Sequence, residues 1–353
     1  MKRPIMIGCA LAAGLALGSN AYGTCKNDWR DCAGKPWVDG PKMETPMGSK
    51  WWPHPIWGAD DVAGSTNWFT KPDVVMRGIA QIKEGKVFKL GQEYYATMPT
   101  FGNRKWVLRI PGSPTGGPFG SNKIVYHDEF VSTEIGQVGT QFDGLGHVGV
   151  QIGADGDKAN MRYYNGHTEQ EIAHSDGLKT LGVEKLHPIV GRGILIDVAA
   201  ARGVEAMKAG ECADMNDIRK ALELQGMQDF EFLEGDIVLF RTGWEKYWTD
   251  PKQFNAGEPG ICLDVARWLV TEVKAGGTGG DSWAATDPVP YPGEEACVFC
   301  VHNYLQTRNG IVNQENLRLK QLADANVYVF AYMFTPMPIR GGTGSPGSPI
   351  AIH

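Results

Sequence analysis

Between Gln137 and His147 the chain reads Gln-Val-Gly-Thr-Gln-Phe-Asp-Gly-Leu-Gly-His: two carboxamides, a carboxylate and an imidazole, spaced by three glycines. Side chains of these types hold a cation, polarise a carbonyl or move protons, provided they converge on one point. Glycines 139, 144 and 146 let the backbone turn tightly, so the polar groups need not alternate across a strand. Asp143 is the best candidate ligand for a divalent cation, which lowers the pKa of water from about 15.7 to near 7 and polarises a carbonyl. Its ordinary role would be a turn carboxylate that accepts backbone amides. His147, with an unperturbed pKa of about 6.5, suits proton transfer in both directions near neutrality; without its neighbours it would read as a satisfied core residue. Gln137 and Gln141 supply neutral, hard oxygens that suit Mn²⁺, Mg²⁺ or Ca²⁺ better than Zn²⁺. A divalent metal, Mn²⁺ in preference to Zn²⁺, is therefore the expected cofactor. The rival expectation has both glutamines hydrogen-bonding substrate or backbone with no metal, and His147 with Asp143 acting on substrate directly.

The elements that must position these groups alternate between helical and strand patterns. Asp73 to Glu84 has an amphipathic period, with Val75, Ile79 and Ile82 on one face and Gly85 as a stop. Lys86–Leu90 alternates as a strand does, and Ile124–Tyr126 and 137–143 read as strands. Ile194–Val198 and Asp236–Arg241 are short apolar runs suited to buried strands. Helices are expected over Asn216–Leu224, capped by Asn216, and over 263–274, with Val265, Trp268, Leu269 and Val273 on one stripe. The pattern is that of a mixed α/β domain. Breaker-rich stretches at 111–120 and 340–349 read as loops.

At 353 residues and 42% hydrophobic, the chain can bury a substantial core. A net charge of −6 and no cluster of Lys and Arg argue against a nucleic-acid or anionic-membrane partner and for a small-molecule substrate. Residues 1–23 read as a signal peptide, with Lys2 and Arg3, an apolar run from Ile5 to Leu17 and a small-residue exit at Ala21-Tyr22-Gly23. The apolar run is too short to span a bilayer, so no membrane insertion is expected after cleavage, and the protein is expected to be periplasmic or secreted. Six cysteines remain in the mature chain, and disulfides are the expected state. Pairs 25–32, 297–300 and 212–262 are the simplest of fifteen connectivities, among which sequence does not choose; Cys297 and Cys300 could also be redox-active or half a zinc site. Residues 24–50 read as an irregular Cys-containing arm, followed by one domain over 51–353. Tryptophans 51, 52, 57, 68 and 106 could line an apolar pocket. Trp68, and Tyr164 of the Tyr163–His167 segment, are candidate substrate contacts.

The Gln137–His147 spacing resembles the His-x-Gly-Thr-His-x-Asp-x-Pro-x-His signature of the cyclase-type metal-dependent hydrolases, the superfamily of bacterial kynurenine formamidase and isatin hydrolase. Here glutamines stand at both ligand-histidine positions and Leu145-Gly146 replaces the proline, as in a longer Gly-Thr-Gln-x-Asp branch. Other segments resemble that family in order: Trp57–Asn67, Glu84–Gly91, Gly235–Trp244, Gly280–Trp283 with Asp287 and Pro290, and His302–Leu317. The resemblance implies a swivelling β/β/α-type single α/β domain with a mixed sheet, assembled as a homodimer or homotetramer. It implies metal ligation by Gln137, Gln141 and Asp143, acid/base work by His147, and a site role for His302 and Glu315. It also implies that the C-terminal Gly/Pro stretch packs near the site. Asp281 and Asp287 are read as supporting or capping residues, and Glu315 has the alternative of opening a helix. Together these features lead to a hydrolase that opens a small lactone, cyclic amide or acyl amide. A metal-independent lyase or isomerase, and a non-catalytic periplasmic binder, are the alternatives.

Overall fold

The computed structural model describes residues 44–153, 155–284, 286–292 and 297–353. The expected signal peptide, Cys25, Cys32 and most of the N-terminal arm lie outside that range.

Two apolar runs form the middle of the sheet because their side chains are covered on both faces. Ile189–Asp197 (β3) and Ile237–Arg241 (β4) pair in parallel, Gly193 opposite Ile237 and Ile196 opposite Phe240. Alternate residues point to opposite faces. Leu195, Ile237 and Leu239 therefore join one hydrophobic core, and Ile194, Ile196, Val238 and Phe240 the other. Such double coverage produces the unbroken Val/Ile/Leu pattern seen in the sequence.

Seven further strands complete one nine-stranded sheet and hence a single α/β domain: Val87–Lys89 (β1), Gln141–Asp143 (β2), Gly277–Gly280 (β5), Asn313–Glu315 (β6), Val329–Phe334 (β7), Gly344–Pro346 (β8) and Ile350–Ile352 (β9). Their order is β8-β2-β6-β5-β4-β3-β7-β9-β1. The run β6-β5-β4-β3 is parallel and both flanks are antiparallel. Unlike β3 and β4, strands β2 and β6 are buried and polar, Gln-Phe-Asp and Asn-Gln-Glu. Buried polar strands gain nothing from apolar transfer, so core packing does not explain the polar residues at these positions.

Helix α1 (Pro72–Ile79) ends earlier than its periodicity suggests and buries Val74 and Gly78, not the expected Val75–Ile79–Ile82 stripe. The reason is backbone approach. A Cβ at Gly78 would lie 2.3 Å from the Gly191 carbonyl carbon of β3. Gly78→Ala is expected to destabilise by about 1–3 kcal/mol through overpacking, although alanine is the better helix former by about 1 kcal/mol. A thermal melt unchanged or raised in that variant would show that the sheet yields instead.

Helix α2 (Met215–Leu224) is capped by Asp214, not Asn216. The Asp214 carboxylate accepts from the amides of Asn216 (2.8 Å) and Asp217 (3.0 Å), and Asp217 returns the bond to the Asp214 amide. An ionised carboxylate is favoured at a helix N-terminus, both as a cap and against the dipole. Helix α3 (Leu263–Trp268) continues as a π-helical turn, Leu269–Val273, with Val265, Leu269 and Val273 buried and Trp268 partly so.

Two stretches read as irregular are ordered. Residues 44–49 form a small hairpin held by Arg308, which donates to Thr45 Oγ1 (2.9 Å) and the Ser49 carbonyl (2.6 Å). Within the 111–120 loop, Gly116–Phe119 pairs with Ile124–Tyr126. Disulfides join Cys212 to Cys262 and Cys297 to Cys300, which suits an oxidising compartment. Among the described residues no helix is long and apolar enough to cross a membrane.

Candidate active site

Strands β2 and β6 lie side by side, antiparallel, with Asp143 opposite Asn313 and Gln141 opposite Glu315. Residues two apart on a strand share a face, and directly opposed residues lie closest across the pair. Register alone thus places Gln141, Asp143, Asn313 and Glu315 on one face. Phe142 takes the other face and enters the core. Strand β8 pairs with the far edge of β2, with Gly344 opposite Asp143. A Cβ at Gly344 would come within 2.9 Å of Gln137 Nε2, so glycine is what lets Gln137 close over the cluster.

His302 arrives from a different element, helix α4 (Cys300–His302), which runs on as a π-helical stretch, Asn303–Arg308. Asp287 fixes it. Its carboxylate accepts the amides of Val301 (2.7 Å) and His302 (2.8 Å) and receives imidazole Nδ1 at 2.5 Å. With Nδ1 carrying the proton toward Asp287, Nε2 faces Glu315 (3.1 Å), Asn313 (3.1 Å) and Asp143 Oδ2 (3.4 Å). The last is a charge contact without a formed hydrogen bond, since Asp143 Oδ2 has no hydrogen-bond partner. On the other side of Asp143, Oδ1 faces the carboxamides of Gln141 (3.4 Å) and Gln137 (3.5 Å).

This buried cluster carries more acceptors than donors. Ligand atoms of Asp143, His302 and Glu315 all lie within 4.8 Å of one another, and all three residues are buried. Asn313 Oδ1, and Gln306 Oε1 on the α4 extension, are buried oxygens without donors as well. Burial would raise Asp143, but His147 and His302 beside it outweigh that and hold its carboxyl down at about 2. Burial and the adjacent Asp143 charge push Glu315 up to about 8. Burial would lower His302, yet its contacts with Asp143, Asp287 and Glu315 raise it well above the ordinary imidazole range. The site is short of positive charge, and a divalent cation facing Asp143, Glu315 and His302 Nε2 fits that donor set.

A cavity of about 60 Å³ opens on the cluster. Gln141, His147, His302, Glu315 and Arg104 form its polar wall, and Phe101, Trp283 and Phe299 an aromatic one. Phe101 stacks on Trp283 with ring centroids 4.4 Å apart. Burial lowers the pKa of His147 against the opposing pull of Asp143, leaving the ring neutral at pH 7.

The Cyclase family model matches residues 88–287, more than half of the chain. The chain belongs to the cyclase family. A solved structure described as a novel cyclase is 26% identical and superposes with a TM-score of 0.72 over 86% of this chain and all of the other. Isatin hydrolase A from Ralstonia solanacearum is 19% identical, TM-score 0.56, over 80% of this chain and 99% of its own. An isatin hydrolase bound to the product analogue thioisatinate is 20% identical, TM-score 0.52, over 76% and 92%. At those identities the two hydrolases share the fold with this chain. No curated protein sequence matches it.

The structure brings Gln137, Gln141, Asp143, His302 and Glu315 into one cluster, with His147 on the cavity beside them. It does not bring Trp68 or Tyr164 there. Trp68 is buried in the core, edge-on to Trp57 at 4.9 Å, with Lys71 Nζ 4.0 Å above its ring, and borders a separate cavity of about 150 Å³. Tyr164 is fully buried and donates to Asp61 Oδ2 (2.6 Å), while Asn165 Nδ2 donates to the carbonyls of Gly58 (2.8 Å) and Ala59 (2.9 Å). That segment clamps the Trp57–Asn67 stretch; it does not wall the site. Asp281 accepts from the amides of Thr242 (2.9 Å) and Gly243 (2.7 Å) and acts as a cap. Glu315 lies on a strand, not at a helix start. The C-terminal Gly/Pro stretch supplies β8, packed on β2. Sequence reading did not find Asn313, Arg104, Phe101 or Phe299 as site residues. Of these only Asn313 left a signal, two positions before Glu315 and thus on its face of the strand.

Proposed function

We propose that this member of the cyclase family is a metal-assisted hydrolase that opens a small lactone, cyclic amide or acyl amide. The observation that supports it most is the convergence of Asp143, Glu315 and His302 Nε2 on one buried point with Asp287 behind the imidazole. A carboxylate that orients a ligand histidine through its other nitrogen is the usual support of a metal ligand. Turning the Gln137 and Gln141 carboxamides would present their oxygens in place of the amide nitrogens. The set is then mostly oxygen, which supports Mn²⁺ over Zn²⁺. When bound, the cation supplies a Lewis acid and a more acidic water.

The chain's own groups account for the rest. His147, neutral at pH 7, takes the proton from water and returns it to the leaving nitrogen or oxygen. Arg104 on the same wall offers a cationic donor to the oxygen that gains charge, and Phe101, Trp283 and Phe299 hold a flat ring and exclude water. A signal-directed, periplasmic or secreted setting is part of the proposal, supported by the two disulfides. The test is elemental mass spectrometry on protein purified without chelator, with hydrolysis of lactones and cyclic amides followed before and after chelation. One divalent ion per chain and chelator-sensitive turnover are expected. Failure to bind Mn²⁺ or Zn²⁺ at all would overturn the proposal. A metal-free lyase or isomerase has one observation in its favour, since a protonated His302 would itself offset the carboxylates; turnover indifferent to chelator would select it.

Cation binding should also release protons. Glu315 sits at about 8 without the cation and His302 well above its ordinary value, yet ligands bind only when deprotonated. Apparent affinity is therefore expected to rise with pH, about tenfold per unit for each proton released, and to level off once pH passes Glu315 and His302. Calorimetry in buffers of different ionisation enthalpy reads the proton count directly. A count of zero at pH 7 would mean that Glu315 and His302 are not displaced ligands.

A further inference from the structure

The described residues hold two disulfides of unlike reach: Cys212 and Cys262 lie 50 positions apart in sequence, Cys297 and Cys300 only 3. A cross-link stabilises mainly by restricting the unfolded chain, so so short a closure contributes little. On chain entropy alone it is favoured roughly fortyfold less than its longer counterpart. Stability therefore does not account for Cys297–Cys300, but its position points to a use. Phe299, inside the closed turn, belongs to the aromatic wall of the cavity, and His302 of the buried cluster follows directly behind.

Phe299 is held in a backbone conformation that it would not choose. Its φ of 52° lies in the left-handed region, which is costly for a bulky aromatic residue. The turn that imposes it is closed by the disulfide and by the Asn303 amide, which donates to the Phe299 carbonyl at 3.0 Å. In that pose the ring stands edge-on to Phe101 and Trp283, with centroids 6.1 Å away in both cases, and to His302 at 5.8 Å. Opening the disulfide removes one of the two closures and lets Phe299 relax out of the wall. Asp287 meanwhile grips the Val301 and His302 amides and His302 Nδ1, so the buried cluster has its own anchor. Access to the bond is one-sided: Cys300 is fully buried, whereas Cys297 is half-buried beside Val298, which is 77% exposed. An attacking thiol meets the Cys297 sulfur first.

We propose that Cys297–Cys300 is an exchangeable disulfide, open to attack by a dithiol reductant, whose closure fixes Phe299 in the cavity wall and so sets the affinity for substrate. The reductant's thiolate attacks Cys297 Sγ, the Sγ–Sγ bond breaks, and Cys300 leaves as a thiolate that takes up a proton. The reductant's second thiol then attacks the mixed disulfide and releases Cys297 as a thiol. Two electrons and two protons pass to the protein, and the dithiol departs as a cyclic disulfide. With the bond closed, Phe101, Trp283 and Phe299 together hold a flat ring; with it open, the cluster stands but Phe299 no longer contributes. The effect on affinity rests on the hydrolase reading above, whereas the exchange itself does not.

The experiment titrates the full protein with dithiothreitol, traps free thiols with iodoacetamide and locates them by peptide mass spectrometry. Cys297 and Cys300 are expected to label at a reductant concentration at least about tenfold below that needed for Cys212 and Cys262. Amide hydrogen exchange over 297–303 should speed up at the same step. There KM should rise at least about tenfold with kcat changed less than about twofold, and oxidised glutathione should reverse both changes. A Cys297→Ser, Cys300→Ser variant should match the reduced wild type with no reductant present. Phe299→Ala should show the raised KM from the start and no response to dithiothreitol. Reduction of the two disulfides together overturns the proposal, as does hydrogen exchange or a KM that ignores selective opening of Cys297–Cys300. A protein that turns over no lactone or amide would instead count against the hydrolase reading, because labelling and hydrogen exchange decide the disulfide without substrate.

Discussion

Asp143→Asn is expected to abolish stoichiometric cation binding and to lower kcat/KM by roughly a thousandfold, corresponding to about 4 kcal/mol of transition-state stabilisation. Asparagine keeps the shape of the side chain, so strand β2 and its pairing with β6 and β8 should persist, and the loss should be one of charge. The reasoning rests on position. Asp143 is fully buried at the hub of the cluster, with Oδ1 toward Gln137 and Gln141 and Oδ2 toward His302. Its carboxyl is held down at about 2, so it is ionised throughout the working range. In the variant His302 and Glu315 would be left facing each other with one anion fewer, a charge set that a lone protonated imidazole can satisfy. Metal content and activity should therefore disappear together. A variant that keeps one ion per chain would move the ligand role away from Asp143. One that loses the ion and keeps its turnover would support the metal-free alternative.

How much of this was legible in the sequence follows from how local each signal was. Gln137, Gln141, Asp143 and His147 fall within eleven residues, and glycines announce the turns that gather them, so the heart of the site could be read directly. Strands β3 and β4 were legible because burial on both faces leaves a continuous apolar run. The rest depended on long-range register. Nothing local says that Glu315 lies opposite Gln141, which the order β8-β2-β6-β5 makes its neighbour, or that Asp287 would hold His302 fifteen positions further on. Trp68 and Tyr164 misled for the same reason, since aromatic density in sequence looks alike whether the rings line a pocket or fill a core. Asp214 lost to Asn216 as the expected cap only because both residues cap well and lie two apart. The pairing of Gly116–Phe119 with Ile124–Tyr126 was hidden by its breakers, since Gly and Pro at 111–120 signal a loop.

His147→Ala should separate proton transfer from cation binding. The residue lines the cavity without belonging to the Asp143–His302–Glu315 cluster, so the variant is expected to keep its metal while kcat/KM falls by about 10² to 10⁴, the usual contribution of a positioned general base. The pH profile carries a second signature. Burial lowers the His147 pKa more than Asp143 raises it. A base must be unprotonated to act, so the wild-type rate should hold through neutrality and fall on the acid side, at a pH below the ordinary imidazole range. That acid limb should vanish in the variant. Added imidazole should restore part of the rate, because truncating the side chain enlarges a cavity already open beside Gln141 and Glu315. Loss of metal together with activity would place His147 among the ligands. Retained activity with an unchanged acid limb would take proton transfer away from it and leave Glu315, pushed up to about 8 and on the same wall, as the group able to give a proton to the leaving atom near neutrality.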